Sequence, residues 1–497
     1  MNRHIRIVKG GMRISFSLLV VLIAAALVSA QDLIPKPGPA RSVTIPAVKE
    51  AKLKNGLTVA VVEKRSVPIV TVQLLVRSGA SSEGIKRAGL ANMTASMLTK
   101  GTKTRTAEQI AEEMEFLGAS IDSGAGWNGS SVTMSVTSDK LDRAMEIMAD
   151  VVLNPSFKQS ELDLLKSQTL DELKASLTQP AFLANYVASV RSFGEHPAGG
   201  TSASIEALKE ADLRSFYETR FVPHGAVLIM TGDVDLATAT AIAQKRFGVW
   251  KEPKDDGVVY NAVSIPEPNF DRTPILRRIL VVDLPGAGQA SVNYYRPIRS
   301  VGRSSKDYYT ASVLNSLLGG GYSSRLNQEI RIKRGLSYGA GSSFGWRGGA
   351  TNFSTRTQTK NQSAPEVAEL VIAELKRLAD AETAEAELNP RRLVLTGGFG
   401  RNLETTAGLT GALADLYSFG IPTGELNKYM TSVSSVTPAT VKGFATRYLH
   451  DGEIIIVGDY SIFKDDLAKR FPNLKIDVIK VDDLNIESPT LRKGDLP

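Results

Sequence analysis

Residues 89–102 read Gly-Leu-Ala-Asn-Met-Thr-Ala-Ser-Met-Leu-Thr-Lys-Gly-Thr, and they are the most informative stretch of this 497-residue chain. The stretch contains no histidine, cysteine or acidic residue. In the whole chain there is no cysteine, and the four histidines are His4, His196, His224 and His450. The lack of cysteine excludes disulfides, thiolate zinc sites, iron–sulfur clusters and a cysteine nucleophile.

Strand and helix patterns surround this stretch. The runs at 57–63 and 69–76 are rich in β-branched residues, and the second alternates strongly enough to predict a half-buried strand. Further on, Thr106 precedes a helical pattern that Gly118 stops, and residues 120–137 return to strand alternation. The order of these elements predicts an α+β fold, with a mostly antiparallel sheet packed against helices.

The chain is long enough for more than one core, and it contains an internal repeat. A Thr-Arg-aromatic motif, an apolar run and Gly-Asp occur twice, ending at Asp233 and Asp459, and a Glu-Leu pair recurs at Glu161 and Glu387. The matches keep an offset of 226 or 227 residues, which predicts two copies of one ~220-residue unit. The predicted organisation is a leader at 1–30, a first unit at 45–250, a linker at 251–275, a second unit at 276–478 and a polar, poorly ordered tail at 479–497.

The first thirty residues have the form of a cleaved secretory signal. Basic residues precede an apolar run at 18–28, and Val28-Ser29-Ala30 has the small-x-small form that signal peptidase reads. The run is shorter than the ~18–20 residues of a spanning helix, although a retained anchor is the alternative. Removing 1–30 lowers the net charge from +7 to +3, too little for a strong phosphate-binding field. We therefore expect a secreted, periplasmic protein with no nucleic-acid partner and no integral membrane segment after signal removal.

Residues 89–102 resemble the signature helix of the insulinase or pitrilysin family of inverted zinc peptidases. That motif reads Gly-x-Ala-His-x-x-Glu-His-Met-Leu-x-x-Gly-Thr. Further stretches similar to the family's landmarks follow one another through both units, at 54–57, 77–80, 196–197 and 232–233. The resemblance covers nearly the whole mature chain, and it implies two homologous α/β sandwich units of the processing-peptidase type.

The zinc-binding residues of the family motif are missing. In the family, two histidines four residues apart bind zinc and the Glu between them is the general base, but here Asn92, Ser96 and Ala95 hold those positions. The family's remaining ligand, a Glu some 76 residues further on, corresponds to Glu172. Because a catalytic zinc needs about three protein ligands, we expect Glu172 to be a solvated or ion-paired helix residue. The resemblance thus implies no metal in this chain and no independent peptidase activity.

Other candidate sites have simpler interpretations. His196, His224 and His450 stand at loop or element boundaries, which predicts surface or hydrogen-bonding histidines rather than metal ligands. Gly124-x-Gly126-x-x-Gly129 formally matches a dinucleotide fingerprint, but it lies between two strand patterns and therefore predicts a hairpin.

A second segment keeps its functional residue types. Residues 319–338 predict a flexible glycine loop, a helix capped by a serine, a stop at Gly335 and a strand beginning near Tyr338. The segment is similar to the one that supplies the family's Arg and Tyr, seven residues apart, and these correspond to Arg331 and Tyr338. In the family this pair contacts the substrate backbone and helps to stabilise the developing oxyanion. The alternative is a structural role, with Arg331 as a helix C-terminal cation and Tyr338 packed on a strand.

A unit without zinc ligands joined to an intact Arg/Tyr unit resembles the non-catalytic partner in heteromeric members of the family. We therefore predict a non-catalytic subunit of a zinc metallopeptidase that closes the proteolytic chamber, with Arg331 and Tyr338 as its substrate-binding residues. Its expected partner is a homologous zinc-bearing subunit in a heterodimer, and the zinc cofactor is expected in that partner. A chaperone-like module that binds peptides by strand addition, or a structural core-type subunit, are the alternatives.

Overall fold

The computed structural model describes residues 45–193, 196–252, 278–449, 452–488 and 490–494. The predicted leader at 1–30, the predicted linker from residue 253 onward, and His450 lie outside the described residues. No helix within the described ranges is long and apolar enough to cross a membrane.

Six strands from the first half of the chain form one sheet. They are β1 (Lys49–Lys52), β2 (Thr58–Glu63), β3 (Ile69–Val76), β4 (Ser120–Ala125), β5 (Ser130–Thr137) and β6 (Val227–Gly232). Their order is β1-β2-β6-β3-β5-β4, and β2 and β6 are the parallel neighbours in an otherwise antiparallel sheet. The two β-branched runs of the sequence are β2 and β3, at the centre of the first core.

Six strands from the second half form a sheet of the same design. They are β7 (Arg278–Asp283), β8 (Ala290–Ile298), β9 (Ala340–Trp346), β10 (Thr351–Thr359), β11 (Glu453–Gly458) and β12 (Lys475–Lys480). In the order β12-β7-β11-β8-β10-β9, strands β7 to β11 take the places of β2 to β6. The predicted duplication is visible at β6 and β11, which begin 226 residues apart at Val227 and Glu453. The sixth strands differ, because β1 pairs antiparallel with β2 whereas β12 pairs parallel with β7.

Helices connect the strands in both halves, and both halves therefore have the predicted α+β architecture. The helices of the first half are α1 (Leu90–Leu98), α2 (Ala107–Phe116), α3 (Leu141–Leu153), α4 (Gln159–Leu177), α5 (Pro180–Phe193), α6 (Ser202–Ala207), α7 (Glu210–Arg220) and α8 (Leu236–Phe247). Those of the second half are α9 (Tyr308–Leu318), α10 (Arg325–Asn327) with a π turn at Gln328–Ile332, α11 (Ala364–Asp380), α12 (Glu385–Leu403), α13 (Thr406–Ser418), α14 (Tyr429–Ser434), α15 (Pro438–Tyr448) and α16 (Tyr460–Arg470). Short 3₁₀ turns occupy Ala80–Ser82, Ile85–Arg87, Ser138–Lys140, Asn361–Ser363, Thr423–Lys428 and Val481–Asp483.

Helix α2 has the start and stop that the sequence predicts. The Thr106 side chain accepts a hydrogen bond from the Gln109 N–H, and the Gln109 side chain accepts one from the Thr106 N–H. This reciprocal pair is a capping box, which satisfies two backbone donors that a helix start otherwise leaves open. Beyond the helix, Gly118 adopts φ 66°, a left-handed conformation that glycine tolerates best.

The two halves exchange a helix. Helix α5, from the first half, packs on the second sheet, where Leu183 and Val187 join an apolar cluster with Tyr295 and Val457. Helix α13, from the second half, packs in turn on β3 and β6 of the first sheet. At that contact the Thr231 hydroxyl lies 2.6 Å from the Thr410 hydroxyl. Each sheet is thus covered on one face by a helix from the other half.

The polar C-terminal segment is more ordered than its composition predicts. Strand β12 runs to Lys480, past the expected boundary at 478. Beyond it, Leu491 is buried in the cluster around α5, and the Arg492 guanidinium donates to Asp477 at 2.7 Å. The prediction of a poorly ordered tail is therefore wrong for the described residues up to 494, because isolated apolar residues in the tail find a partner surface on α5.

Candidate functional site

Helix α1 holds the positions of the missing zinc ligands. One side of the helix is buried in the first core, through Leu90, Ala91, Met93, Met97 and Leu98. The side toward edge strand β4 makes two hydrogen bonds, since Asn92 Oδ1 accepts from the Ala125 N–H at 3.4 Å and Ser123 Oγ donates to the Ala95 carbonyl at 2.7 Å. The Asn92 side chain therefore contacts the neighbouring strand, whereas Ala95, at the base position, contacts it through its backbone and buries its side chain in the core.

Glu172, the one family ligand position that keeps its residue type, does not form a metal site with helix α1. It is exposed on α4, which contacts α1 where Thr169 Oγ1 donates to Met93 Sδ at 3.7 Å. Among the described residues there is no group of three His, Asp or Glu side chains that could hold a metal ion. Asn92 and Ser96 offer only neutral oxygens, whereas zinc in proteins takes imidazole, thiolate or carboxylate ligands. The residues at this position do not fit a zinc ion.

A buried carboxylate caps the start of the same helix. Glu83 has a fully buried side chain, and it accepts hydrogen bonds from the N–H groups of Gly89 at 2.7 Å and Ala91 at 2.5 Å. Burial raises the pKa of Glu83 to about 7, although the two backbone donors act in the opposite direction. Glu83 is not among the residues predicted from the sequence, where its only signal is an acidic residue shortly before the start of a helix.

His196 lies beside this carboxylate. Its Nδ1 is 3.5 Å from Glu83 Oε1, and its side chain is buried. Burial lowers the pKa of His196, which favours the neutral imidazole. The expectation of a hydrogen-bonding histidine fits this position, but the alternative of a surface histidine is wrong because the ring lies between the Glu83 loop and Trp127. Trp127 is covered in turn by Arg347 of the second half, whose Cζ is 3.9 Å from the ring centroid.

The structure agrees with the predictions for His224 and for the glycine motif at 124–129. The side chain of His224 is exposed, as expected of a surface histidine. The glycine motif at 124–129 is the turn of the β4–β5 hairpin, closed by a hydrogen bond from the Gly126 N–H to the Gly129 carbonyl at 2.9 Å.

The Arg331 and Tyr338 segment has a different character. After the glycine loop, α10 begins beyond Ser324, and Arg331 lies in the π turn that follows. The chain reverses at Gly335, where φ is 65°, and β9 begins at Ala340, two residues later than expected. Tyr338 therefore lies before the strand, and its side chain is 90% exposed. The alternative of a packed strand aromatic is wrong for Tyr338.

Both residues line one cavity of about 1020 Å³ in the second half. Arg331 is half-buried, and its guanidinium lies over Tyr322, with Cζ 5.0 Å from the ring centroid. Neither Arg331 nor Tyr338 hydrogen-bonds or ion-pairs with another side chain in the described part of the protein. Their donor groups are therefore available to a ligand that enters the cavity.

The cavity lies between the second sheet and a helix of the first half. The sheet contributes Ser291 and Asn293 from β8 and Arg356 from β10, and the exchanged helix α5 contributes Ala181 and Asn185. No pattern in the sequence predicts that α5, which follows α4 in the first half, reaches the site in the second half. Only the helix exchange brings the two together.

Two family models match the chain. One described as "Insulinase (Peptidase family M16)" matches residues 58–192, and one described as "Peptidase M16 inactive domain" matches residues 207–392. The matched ranges cover most of the first half and part of the second. They include α1 and the Arg331 and Tyr338 segment.

Relatives of this chain carry the description of uncharacterized zinc proteases. One from Mycobacterium leprae is 30% identical over 290 residues, which are 58% of this chain and 63% of that protein. Another from Mycobacterium bovis is 27% identical over 380 residues, covering 75% of this chain and 84% of that protein. The match therefore spans a little under two thirds of the first relative and a larger share of the second.

Solved structures share the architecture. A structure described as the peptidase M16 inactive domain from Pseudomonas fluorescens has a TM-score of 0.74 and 25% identity, covering 83% of this chain and 98% of that one. The sequence matches and the structural match agree with each other, and both agree with the duplicated sheets and the signature helix. The chain belongs to the insulinase family of peptidases, M16.

Proposed function

We propose that this chain is the non-catalytic subunit of a heteromeric zinc peptidase, in which it closes the proteolytic chamber and supplies Arg331 and Tyr338 to the substrate. The observation that carries the proposal is the contrast between the two sites. Helix α1 has no residues that fit zinc, while Arg331 and Tyr338 line one cavity with their donors unused by the described side chains.

The proposed role of the pair is electrostatic. A guanidinium and a phenol donate hydrogen bonds to a substrate carbonyl, and these bonds strengthen as the oxygen becomes anionic in the transition state. The partner would supply the zinc, the activated water and the general base. This chain supplies orientation and charge stabilisation, so it has no peptidase activity alone.

The partner is proposed to be a homologous zinc-bearing subunit, and the site of action the periplasm. The location rests on the signal-like sequence at 1–30. If the heteromer is obligate, its interface should bury upwards of ~2,000 Å².

The experiment is affinity purification of the mature chain from its native host, followed by identification of what co-purifies. A homologue that carries the His-x-x-Glu-His motif, in constant ratio and with peptidase activity in the complex only, supports the proposal. Sedimentation of the native material as this chain alone, without such a partner, contradicts it.

A peptide-binding module is the second candidate, and one observation favours it. Strand β9 is the outermost strand of its sheet, and its first residues, Ala340 and Gly341, line the cavity beside Tyr338. The outward N–H groups of Ala340 and Ser342 already donate to the Asn327 side chain at 3.3 Å and the Gly319 carbonyl at 3.2 Å, so an extended peptide could add as a further strand only beyond Ser342. Peptide binding by the chain alone, with no peptidase partner in the native material, would favour this candidate.

A further inference from the structure

The cavity beside Arg331 and Tyr338 has a one-sided charge. Arg331, Arg356 and Lys360 line it, and no Asp or Glu is among the lining residues that the structure describes. Like charges that converge without counter-charges repel one another, and an anion relieves that repulsion. The cavity therefore favours a negatively charged group.

Arg356 occupies the sheet face of this cavity. On β10 it alternates with buried threonines, so its side chain points to the opposite face from the second core. Its direct neighbour on β9 is Gly341, and a Cβ placed there would be 3.8 Å from Arg356 Nε. Because glycine has no side chain, nothing at this position screens the guanidinium. Within the described ranges, Arg356 has no hydrogen-bond or ion-pair partner.

Neutral donors lie beside the arginine. Asn293 is 1% exposed, and its amide donates to Asn185 Oδ1 at 3.1 Å while it accepts from Ser291 Oγ at 3.2 Å. This contact occupies the carbonyl of Asn185, an exposed residue on α5 that lines the cavity. The Asn185 amide N–H groups are then the ones left for a ligand. The site thus combines a planar guanidinium with amide donors.

We propose that this cavity binds a carboxylate of the peptide substrate, with Arg356 as its principal partner. The inference rests on the proposed function for the identity of the ligand as a peptide. Arg356 is the best placed cation because a guanidinium binds a carboxylate through two parallel hydrogen bonds, a geometry that Lys360 lacks. The carboxylate is either the free C-terminus of the peptide or an Asp or Glu side chain.

Peptide binding to the full mature chain tests this proposal by fluorescence anisotropy. The probes are dye-labelled peptides of about eight uncharged residues. One has a free C-terminal carboxylate, one is its C-terminal amide, one is the amide with a single central Glu, and one is the amide with Gln at the same place. Each is titrated into the wild type, Arg356→Gln and a control, Arg447→Gln, an exposed arginine on α15 outside the cavity.

We expect a peptide with a carboxylate to bind about 10- to 100-fold more tightly than its neutral counterpart, less so at high salt. Arg356→Gln should abolish the difference, and Arg447→Gln should preserve it. A preference for the free C-terminus identifies that group as the ligand, and a preference for Glu over Gln identifies a side chain.

Equal affinity for charged and neutral peptides, no binding of any peptide, or a preference that survives in Arg356→Gln would overturn the proposal. Equal affinity, or a preference that survives, leaves the proposed function intact, whereas the absence of all peptide binding bears on both and is resolved by turnover in the complex. That function is tested by turnover of the neutral amidated peptide in the complex, which needs no carboxylate.

Discussion

Helix α1 in the first half and the Arg331 and Tyr338 segment in the second differ in what packing requires of them. Seven of the nine residues of α1 are buried, Ala95 at the base position among them, so the apolar side holds the helix whatever stands at the two ligand positions, Asn92 and Ser96, which are partly exposed. Tyr338 is 90% exposed, so packing in the core does not require a tyrosine at this position. A helix can therefore keep its fold while it loses its zinc ligands, because the side chains that pack in the core are not the ones that would bind the metal.

The first test of this comparison is the stability of each region. Met97 is 1% exposed in the core beneath α1, so Met97→Ala should lower the free energy of unfolding by about 2–5 kcal/mol. Tyr338→Phe should change it by no more than about 0.5 kcal/mol. Urea denaturation of the mature chain measures both, and a large loss for Tyr338→Phe would mean that the tyrosine is a structural residue after all.

The second test concerns turnover. In the reconstituted heteromer, Tyr338→Phe should lower kcat about 10²- to 10³-fold, or ~3–4 kcal/mol, because it removes one donor to the oxyanion and keeps the ring. Arg331→Lys should also be poor, since lysine lacks the planar fork. The control is Tyr417→Phe, which removes a hydroxyl that donates to Glu50 at 2.6 Å outside the cavity.

Both measurements need unchanged zinc content and unchanged subunit association. A kcat within about twofold of the wild type for both cavity variants would remove the functional assignment of the pair.

The third test is the pH dependence of stability at the start of α1. Because burial raises the pKa of Glu83 from 4.5 to about 7, the folded state binds more protons than the unfolded state between these pH values. Stability should therefore fall as the pH rises through this window, by up to about 3 kcal/mol, relative to Glu83→Gln.

His196 acts in the opposite sense below its ordinary pKa of 6.5, because its lowered pKa makes the folded state bind fewer protons. The comparison with Glu83→Gln isolates the contribution of the carboxyl. Parallel curves for the wild type and Glu83→Gln between pH 4.5 and 7 would contradict the assignment.

The smallest expected effect is a partial return of metal. Elemental analysis of the wild type should find less than about 0.1 zinc per chain, and the combined Asn92→His, Ala95→Glu and Ser96→His variant should bind some zinc through Glu172. The zinc content of this variant should stay below one per chain, because the residues that orient zinc ligands in an intact site are absent. Adding Glu172→Gln to that variant should abolish the gain. Near-equimolar zinc with chelator-sensitive peptidase activity in the wild type would refute the expectation.

Local patterns in the sequence predicted much of this fold. The β-branched runs became β2 and β3, Thr106 caps α2, and the offset of the repeat reappears between β6 and β11. These features depend on residues that are close in the chain or on a repeated pattern, so they can be read before any packing is known. The residue types at the ligand positions of α1, and the spacing of Arg331 and Tyr338 in one segment, can likewise be read from the sequence alone.

Contacts between distant residues needed the folded chain. Glu83 and His196 meet across the first half, α5 and α13 exchange between the halves, and Leu491 returns to α5. None of these follows from local propensity, because each joins residues that are distant in the chain and become neighbours only once the sheets and helices have packed. The sequence thus determined which residue types lie in the Arg331 and Tyr338 segment. The packing of one half against the other decided which other residues line the cavity, how deeply they are buried and which charges they bring to it.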